Sequence, residues 1–395
     1  MSMNSIEYTA QAASSLVSGE VKLSVGDAAL TVTALFDAAE IPFSEINALK
    51  LAEYVVTVQA GNDVYAFSRM GSWCEPFYNA LCEAYNKAVL RSLFISGEPI
   101  VTAKGDYSYT ENGASASGFA PVHVYENSVV SLPPDLGARR VPLCFVAGMD
   151  KGDYTLTLTL DTGETYTFAK LGYDTAPVEV AVEKQIRSLR EKSMAAVKEI
   201  DPTLTVTQAS QLAKIMPEGE AAPFDRLAGI APSFATSLES KIAATRAAES
   251  YEVFKELCDP ARIWIGFRKS EIEAESVENK STDPYMLWLI APSPDGQFAV
   301  VEFAEADTAT FVYRTGGDFD GFAKKLNRAL EAINFKREVI RLPDEELRKP
   351  ENADYYMAAK RTAALQFVRA NFAGRVIHSS VEAWKRKLME LWSLR

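Results

Sequence analysis

Residues 65–81, YAFSRMGSWCEPFYNAL, decide the fold of this chain. They read as a short strand of alternating apolar and polar residues, followed by a glycine, a proline and an amphipathic helix. The same order of features returns in residues 166–182, YTFAKLGYDTAPVEVAV, and more loosely in residues 311–326, FVYRTGGDFDGFAKKL. The sequence therefore predicts a β-rich unit closed by one helix, present twice, with a candidate third copy further along.

The two strong copies share one register. Upstream of the last hairpin, Ile41-Pro42-Phe43 and Tyr54 match Val141-Pro142-Leu143 and Tyr154 at an offset of 100 residues. Beyond the hairpin turn, which is one residue longer in the second copy, the offset becomes 101 residues. The pairs matched there are Tyr65 with Tyr166, Phe67 with Phe168, Gly71 with Gly172 and Pro76 with Pro177. A register that slips only at turns indicates an internal duplication.

Each repeated residue type has a structural role. Residues i and i+2 of a strand share a face, so Tyr65 and Phe67 are expected to face the closing helix, and so are their counterparts in the second copy. Gly71 stands where the strand meets the helix and suits a left-handed backbone. Proline fits the first helical turn, where its missing N–H is not needed. The closing helices are predicted at residues 76–93 and 177–200.

This pattern predicts the domain organisation of the whole chain. Residues 1–18 are expected to form an N-terminal helix or arm, and the polar, glycine-rich residues 97–118 are interpreted as a linker and loop. The predicted parts are unit 1 at residues 1–105, unit 2 at 118–200, a helical and loop linker at 201–258, a candidate diverged third unit at 259–340, and C-terminal helices at 341–395. The fold class is α+β.

The charge of the chain is unevenly distributed. The net charge is −12, yet residues 321–395 hold 16 Lys and Arg against 9 Asp and Glu. Such asymmetry is typical of an interaction surface, or of a basic end that docks on an acidic body. We favour the docking interpretation, because amphipathic helices usually direct their charges to solvent or to another part of the same molecule.

Composition narrows the class of protein. The four cysteines have no CxxC spacing and are interpreted as buried free thiols in a reducing compartment. The N-terminal residues show no basic and apolar signal segments, and the richest apolar runs are too short for a membrane span. The predicted compartment is the cytoplasm.

A search for chemistry finds no catalytic, cofactor-binding or metal-binding residues. The two histidines are His123, in an apolar strand, and His378, before the last helix. Neither has a metal-type spacing, and HExxH, GxSxG, GxGxxG and Walker motifs are absent. A nucleophile pair could still assemble in space. The one candidate interaction patch is basic: Lys324, Lys325, Lys336, Arg337, Lys385, Arg386 and Lys387. A solvated helix face is the preferred interpretation of this patch.

The two strong copies resemble the bacterial pleckstrin-homology-like (PH-like) domains, in which an IPFSEI-type strand, a YxF strand and a helix follow in that order. The resemblance covers residues 19–93 and 118–198, with residues 263–335 as a candidate third member. Many PH domains bind phosphoinositides, so the resemblance would imply a site made of Lys and Arg residues in and around the loop that follows the first strand. Here those loops are read as Gly26-Asp27-Ala28 and Tyr125-Glu126-Asn127, which hold no basic residue. No phosphoinositide site is therefore expected.

The resulting hypothesis is a non-catalytic binding or scaffold protein of tandem PH-like units that recognises a protein or peptide. Two alternatives stay open: attachment to an anionic membrane through the basic C-terminal third, and an enzyme whose site lies between the units. Nucleic acid is not expected as a partner, since a sequence pI near 5.0 opposes it. The sequence leaves the identity of the partner, the oligomeric state and the pathway open.

Overall fold

The computed structural model describes residues 6–217, 220–269, 285–304 and 309–392. The fold is α+β, as predicted. Three antiparallel sheets of seven, seven and six strands are each packed against helices. The first two sheets form repeated units in tandem, and helices dominate the C-terminal end.

Unit 1 is a seven-stranded sheet closed by one helix. Its elements are β1 Glu7–Ala13, β2 Ser18–Val25, β3 Ala29–Thr33, β4 Ala38–Pro42, β5 Ile46–Ala52, β6 Val55–Ala60, β7 Asp63–Ser68 and α1 Cys74–Ser92. The strands run in the order β4-β3-β2-β1-β7-β6-β5, so the first strand pairs with the last and joins the two halves. Apolar residues of α1 at steps of four, Phe77, Leu81 and Tyr85, lie in the core of this unit.

Unit 2 has the same strand order and the same closing helix. Its elements are β8 Val101–Glu111, β9 Ala114–Val124, β10 Ser128–Ser131, β11 Arg139–Pro142, β12 Val146–Gly152, β13 Thr155–Leu160, β14 Thr165–Ala169 and α2 Thr175–Ile200. The order is β11-β10-β9-β8-β14-β13-β12. Seven antiparallel strands closed by a C-terminal helix are compatible with the PH-like layout, and both predicted helices are confirmed within two residues.

The predicted register of the duplication is confirmed. Tyr65 pairs with Val58 in unit 1, and Tyr166 pairs with Leu158 in unit 2. Tyr65, Phe67, Tyr166 and Phe168 are all buried, whereas the intervening Ala66 and Thr167 are only half-buried. Both glycines have a left-handed backbone, with φ of 56° at Gly71 and 62° at Gly172. Even the irregularity at the start of β5, between Ile46 and Ala48, recurs in β12.

The first strand of each unit is where the sequence prediction was wrong. Residues 7–13 form β1 and not a helix or arm, and residues 101–124, which overlap the predicted linker, form the longest hairpin in the part of the chain that the structure describes. Unit 2 therefore begins before residue 105. The loops after the first strands of the two units are residues 14–17 and 112–113. The loops named in the sequence analysis, residues 26–28 and 125–127, follow the second strands instead. These true first loops also hold no Lys or Arg.

The third sheet is a central layer between helices. Its strands, in spatial order, are β15 Ala222–Pro223, β16 Trp264–Lys269, β17 Tyr285–Pro292, β18 Phe298–Ala304, β19 Ala309–Arg314 and β20 Phe372–Ile377. The helices of this region are α3 Val206–Ile215, α4 Phe224–Ile230, α5 Pro232–Ala243, α6 Ala248–Leu257, α7 Phe319–Ala332, α8 Glu338–Arg341, α9 Asp344–Leu347, α10 Ala353–Arg361, α11 Ala363–Asn371 and α12 Val381–Trp392. One face packs on α3 to α6 and α12, and the other on α7, α8 and α11.

The predicted third copy resembles units 1 and 2 only in its last strand and the helix that follows it. Tyr313 of β19 packs on Phe322 of α7, as the matching strand and helix of units 1 and 2 do. The strand order differs, however, because β19 pairs with β20, which follows the helix, and not with a first strand. The strands are apolar almost throughout, which is typical of a sheet covered on both faces. Among the described residues, the seven-stranded order is therefore not repeated a third time.

Two predicted boundaries also change. The region predicted as a linker, residues 201–258, forms one helical layer of the third part, and α2 extends into its core through Val197 and Ile200. The region predicted as C-terminal helices, residues 341–395, also contains a strand, because β20 follows α11 directly.

Candidate functional site

The predicted basic patch is not one surface. Lys324 and Lys325 lie on α7, Lys336 and Arg337 follow that helix, and Lys385, Arg386 and Lys387 lie on α12. Several of the head groups have partners inside the molecule. The contacts are Lys325 over Phe367 at 4.2 Å, Lys336 over Phe94 at 5.4 Å, Arg337 over Phe303 at 4.4 Å, and an ion pair of 2.7 Å between Lys385 and Glu256. The Lys385 pair agrees with the docking interpretation of the basic end.

One cleft of about 260 Å³ lies between unit 2 and α3, and we call it the unit 2 cleft. Strand-end residues from Leu143 to Ala147, a stretch of α2 and the end of α3 line it. Two carboxyl groups, Asp161 and Glu220, also lie on its wall. The cleft is thus a space between parts of the chain with titratable side chains on its surface.

The two carboxyl groups of the unit 2 cleft have different surroundings. Glu220 is buried, and burial raises its pKa well above the usual range, with the Asp161 carboxylate adding to this effect and Lys324 opposing it. Asp161 is exposed at the mouth, where partial desolvation raises its pKa and the charges of Lys324 and Arg328 oppose the rise. Lys324, one of the predicted basic residues, does not line the cleft, but its charge acts on both carboxyl groups.

A second charged cluster lies where the parts of the chain meet. We define the arginine junction as Arg139 and Arg140 of β11, Arg328 of α7 and Arg361 of α10, all of which line a cavity of about 20 Å³. Arg140 forms two hydrogen bonds, of 2.6 and 2.7 Å, with the carboxylate of Glu331. Arg139 donates to Glu111 at 2.8 Å, and the Tyr166 hydroxyl donates to the same carboxylate at 2.5 Å. The cluster links unit 2 to the third part through charged hydrogen bonds.

The structure also assembles one histidine with a hydroxyl and a carboxylate. His378 Nε2 lies 3.0 Å from Glu302 and 3.1 Å from Thr310 Oγ1, and Thr310 donates to Glu302 at 2.6 Å. Trp384 Nε1 donates to Thr310 at 2.7 Å. Thr310 and Glu302 are fully buried, so a substrate cannot reach this hydroxyl. The cluster holds α12 on the sheet, which is a structural role.

Burial favours the neutral forms of His123 and of three of the cysteines. Burial lowers the pKa of His123, which favours its neutral form. Burial raises the thiol pKa of Cys74 and Cys82, and raises that of Cys258 to about 11, so these thiols stay protonated. Among the described residues, no three His, Cys, Asp or Glu side chains group as a metal site, and no helix is long and apolar enough to cross a membrane.

Two exposed tyrosines occupy the same turn in both units. Tyr54 follows β5 and Tyr154 follows β12, with φ of 61° and 57°. Their exposed fractions are 79% and 71%. A left-handed backbone is unusual for a bulky residue, and Gly or Asn are the common choices there. The pair carries no packing role, although the sequence match at an offset of 100 residues already pointed to it.

Comparisons with known proteins do not identify a family for this chain. No protein-family model and no curated protein matches the chain. Among solved structures it is similar to one titled Structure of the Spt16D Pob3N heterodimer, at 9% identity over 45% of this chain and 89% of that one, with a TM-score of 0.18. A DNA polymerase sliding clamp from Pseudomonas aeruginosa with ligand is similar at 10% identity over 82% of each chain, with a TM-score of 0.10. At such TM-scores neither similarity supports a statement about fold or function.

Proposed function

We propose that this chain is a cytoplasmic, non-catalytic binding or scaffold protein of the tandem PH-like kind, and that it recognises a protein or peptide. The observation that supports this most is the pair of exposed tyrosines, Tyr54 and Tyr154, at equivalent turns of two equivalent units. Tyrosine is enriched in protein interfaces, because its ring supplies a large apolar area and its hydroxyl a hydrogen bond. A bulky exposed side chain that strains its own turn has a reason to be there only if it contacts something else.

The contacts between the parts of the chain fit a scaffold role. The backbone N–H of Leu49 in unit 1 donates to Pro134 in unit 2 at 2.7 Å. Lys360 of α10 donates to the Ser44 carbonyl of unit 1 at 3.0 Å. Such cross-links hold the two tyrosine turns on one framework, so a partner that contacts both would gain from effective concentration.

The test is a double variant, Tyr54→Asn with Tyr154→Asn. Asparagine accepts the left-handed backbone, so we expect the fold to keep or increase its stability while partner binding falls. The measurement is quantitative capture from the native host, with thermal unfolding of each variant recorded in parallel. Tyr173→Asn is the matched control, because Tyr173 is fully exposed but has no aromatic counterpart in unit 1, where Ser72 stands. Equal capture by the wild type, the double variant and the control would contradict the proposal.

An enzyme remains the second candidate, on one observation. The unit 2 cleft brings a buried carboxyl group with a raised pKa, Glu220, near a second carboxyl group, Asp161, and the Lys324 ammonium. Perturbed titratable groups in a cleft are typical of active sites, although structural networks show them too. We rank this candidate second because Asp161 is exposed to solvent, which weakens its influence on Glu220.

Thermal-shift screening with small metabolites separates the two candidates. A saturable shift with one compound, lost in Glu220→Gln, would favour the enzyme. Membrane attachment is not proposed, because the predicted basic residues are divided between α7, the segment after it and α12.

A further inference from the structure

A loop of unit 2 forms part of the contact between the two units. This β10–β11 loop, residues 132–138, lies against the edge strand β5 of unit 1. The backbone N–H of Leu49 donates to the carbonyl of Pro134 at 2.7 Å, and Asp135 forms an isolated β-bridge with Ala48. All residues of the loop are buried or half-buried. The loop therefore covers part of an edge strand whose backbone groups would otherwise face solvent.

The equivalent loop of unit 1 is uncovered. Residues 34–37, with the sequence ALFD, also join the third strand of their unit to the fourth. Leu35 and Phe36 are 85% and 91% exposed. A single exposed apolar side chain needs no explanation, but two large ones side by side, on the loop that docks in the other unit, indicate a contact surface. Unit 1 thus presents the loop with which unit 2 contacts a neighbouring unit.

Unit 2 has an edge strand that matches the receiving one, because β12 ends the second sheet as β5 ends the first. Met149 pairs with Leu158 in the register in which Leu49 pairs with Val58, directly after the irregularity that both strands share. Successive N–H groups of a strand point to opposite edges, so the Met149 N–H points away from the sheet as that of Leu49 does. Leu49 is buried, whereas Met149 is half-buried, and among the described residues no strand pairs with the outer side of β12.

The unit 2 cleft lies beside this edge. Residues 143–147 and Ile186 line it, and they match residues 43–47 and Tyr85 of unit 1 at the offsets of 100 and 101 residues. In unit 1 this position is covered, because the Tyr85 hydroxyl lies 3.3 Å from the carbonyl oxygen of Asp135 in the docked loop and α10 packs on α1. In unit 2 the matching position is a cleft of about 260 Å³. One water needs only about 10–15 Å³ by this measure, so an apolar side chain can enter the cleft.

We propose that the chain self-associates head to tail, with the loop of residues 34–37 in one copy docked on the β12 edge and the unit 2 cleft of the next. The contact repeats between copies the one that joins unit 2 to unit 1 within the chain. Because the two surfaces differ, such an interface produces a ring or an open row of copies. Val130 and Leu132, which pack into the core of unit 1, correspond to the exposed Thr31 and Thr33. The contact between copies should therefore be weaker than the internal one. The proposal goes beyond partner binding by the tyrosine turns and does not depend on it.

Sedimentation velocity of the full chain over a series of concentrations tests the proposal. The mean mass of the wild type should rise above 43.3 kDa as the concentration increases. The loop variant, Leu35→Ser with Phe36→Ser, should stay monomeric at every concentration and should fold normally, because both side chains are exposed. Met389→Ser on α12 is the matched control, since it also removes an exposed apolar side chain, and it should associate like the wild type. A wild type that stays monomeric throughout, which would leave the loop to a different protein, or a loop variant that associates like the wild type, would overturn the proposal.

A mixing experiment tests the direction of the contact. Ala147→Arg places a long charged side chain at an exposed position of the cleft wall and should also give a monomer. The loop variant keeps an intact edge and Ala147→Arg keeps an intact loop, so their equal mixture should form a dimer and nothing larger. A mixture that stays monomeric while the wild type associates would overturn the head-to-tail arrangement. If Ala147→Arg fails to fold, Met149→Pro takes its place, because proline removes the outward N–H and is tolerated in an edge strand.

Discussion

The Nη2 atom of Arg361 donates a 2.5 Å hydrogen bond to the hydroxyl of Tyr85, and both side chains are almost completely buried, with exposed fractions of 1% and 0%. Tyr85 is a core residue of α1 in unit 1, while Arg361 ends α10 near the other end of the chain. Burial raises the pKa of Tyr85, and the charge of Arg361 opposes the rise. This one bond therefore joins the first unit to the C-terminal helices through a charged donor.

We predict that Tyr85→Phe lowers the free energy of unfolding by about 1–3 kcal/mol, because a buried guanidinium N–H then has no acceptor. Arg361→Met removes the buried charge together with its need for a partner. The double variant should be more stable than the sum of the single losses predicts, by about 0.5–3 kcal/mol. Urea unfolding of the four proteins measures this coupling. Strictly additive losses would mean that the bond contributes nothing beyond packing.

The second prediction concerns the repeated core aromatics. Phe67→Ala and Phe168→Ala should each cost about 3–5 kcal/mol, because they remove a fully buried ring and leave a cavity. The two losses should be similar, since the residues occupy the same position in equivalent units. Val64→Ala, at an exposed position beside them, is the control and should change stability little. Denaturant midpoints with unchanged slopes would show that only stability has changed.

The last hairpin and the closing helix of each unit could be predicted from the sequence. In both units, alternating apolar and polar residues, a glycine and a proline follow one another at the same spacings. The first strands could not be predicted, since β8 and β9 contain Gly105 and Gly118 among Ser and Ala, a composition typical of linkers. The structure shows why those glycines are in strands. A Cβ at Gly105 would lie 2.5 Å from the carbonyl oxygen of Ala169, and one at Gly118 would lie 3.0 Å from the ring of Tyr107. They make room for close packing, which no single-sequence pattern reveals.

The candidate sites escaped prediction for a related reason. Asp161 lies in a hairpin turn of unit 2 and Glu220 in the segment after α3, with no characteristic spacing between them. The arginines of the junction come from β11, α7 and α10. Only Lys324 was singled out beforehand, as part of a basic patch. Its position near the two carboxyl groups follows from how α7 packs beside unit 2, which depends on tertiary structure.

The third prediction uses two glycines of the third part. Gly266 in β16 pairs directly with Trp288 in β17, and a Cβ there would overlap the indole ring, which is fully buried. Gly266→Ala should therefore cost about 1–3 kcal/mol or more through overpacking. Gly229→Ala is the matched control, because a Cβ in α4 meets nothing within 4 Å, and alanine should gain up to about 1 kcal/mol of helix propensity. Thermal unfolding should shift in opposite directions. A tolerated Gly266→Ala would mean that the Trp288 ring can move.

The last prediction is the pH dependence caused by Glu220. Burial, with Asp161 in support, raises its pKa well above the usual range, so the folded protein keeps a proton that the unfolded chain has released. The contribution of Glu220 to the free energy of unfolding then falls as the pH rises above about 4.3, the usual value for Glu, with a slope of at most about 1.4 kcal/mol per pH unit for one proton. Glu220→Gln keeps the shape and removes the proton, so its stability relative to the wild type should increase from acid to neutral pH. Asp161→Asn removes the neighbouring carboxylate and should act in the same direction but less, because Asp161 is exposed. Urea midpoints of the three proteins across this range give the answer, and parallel curves for the wild type and Glu220→Gln would show that Glu220 releases its proton at an ordinary pH.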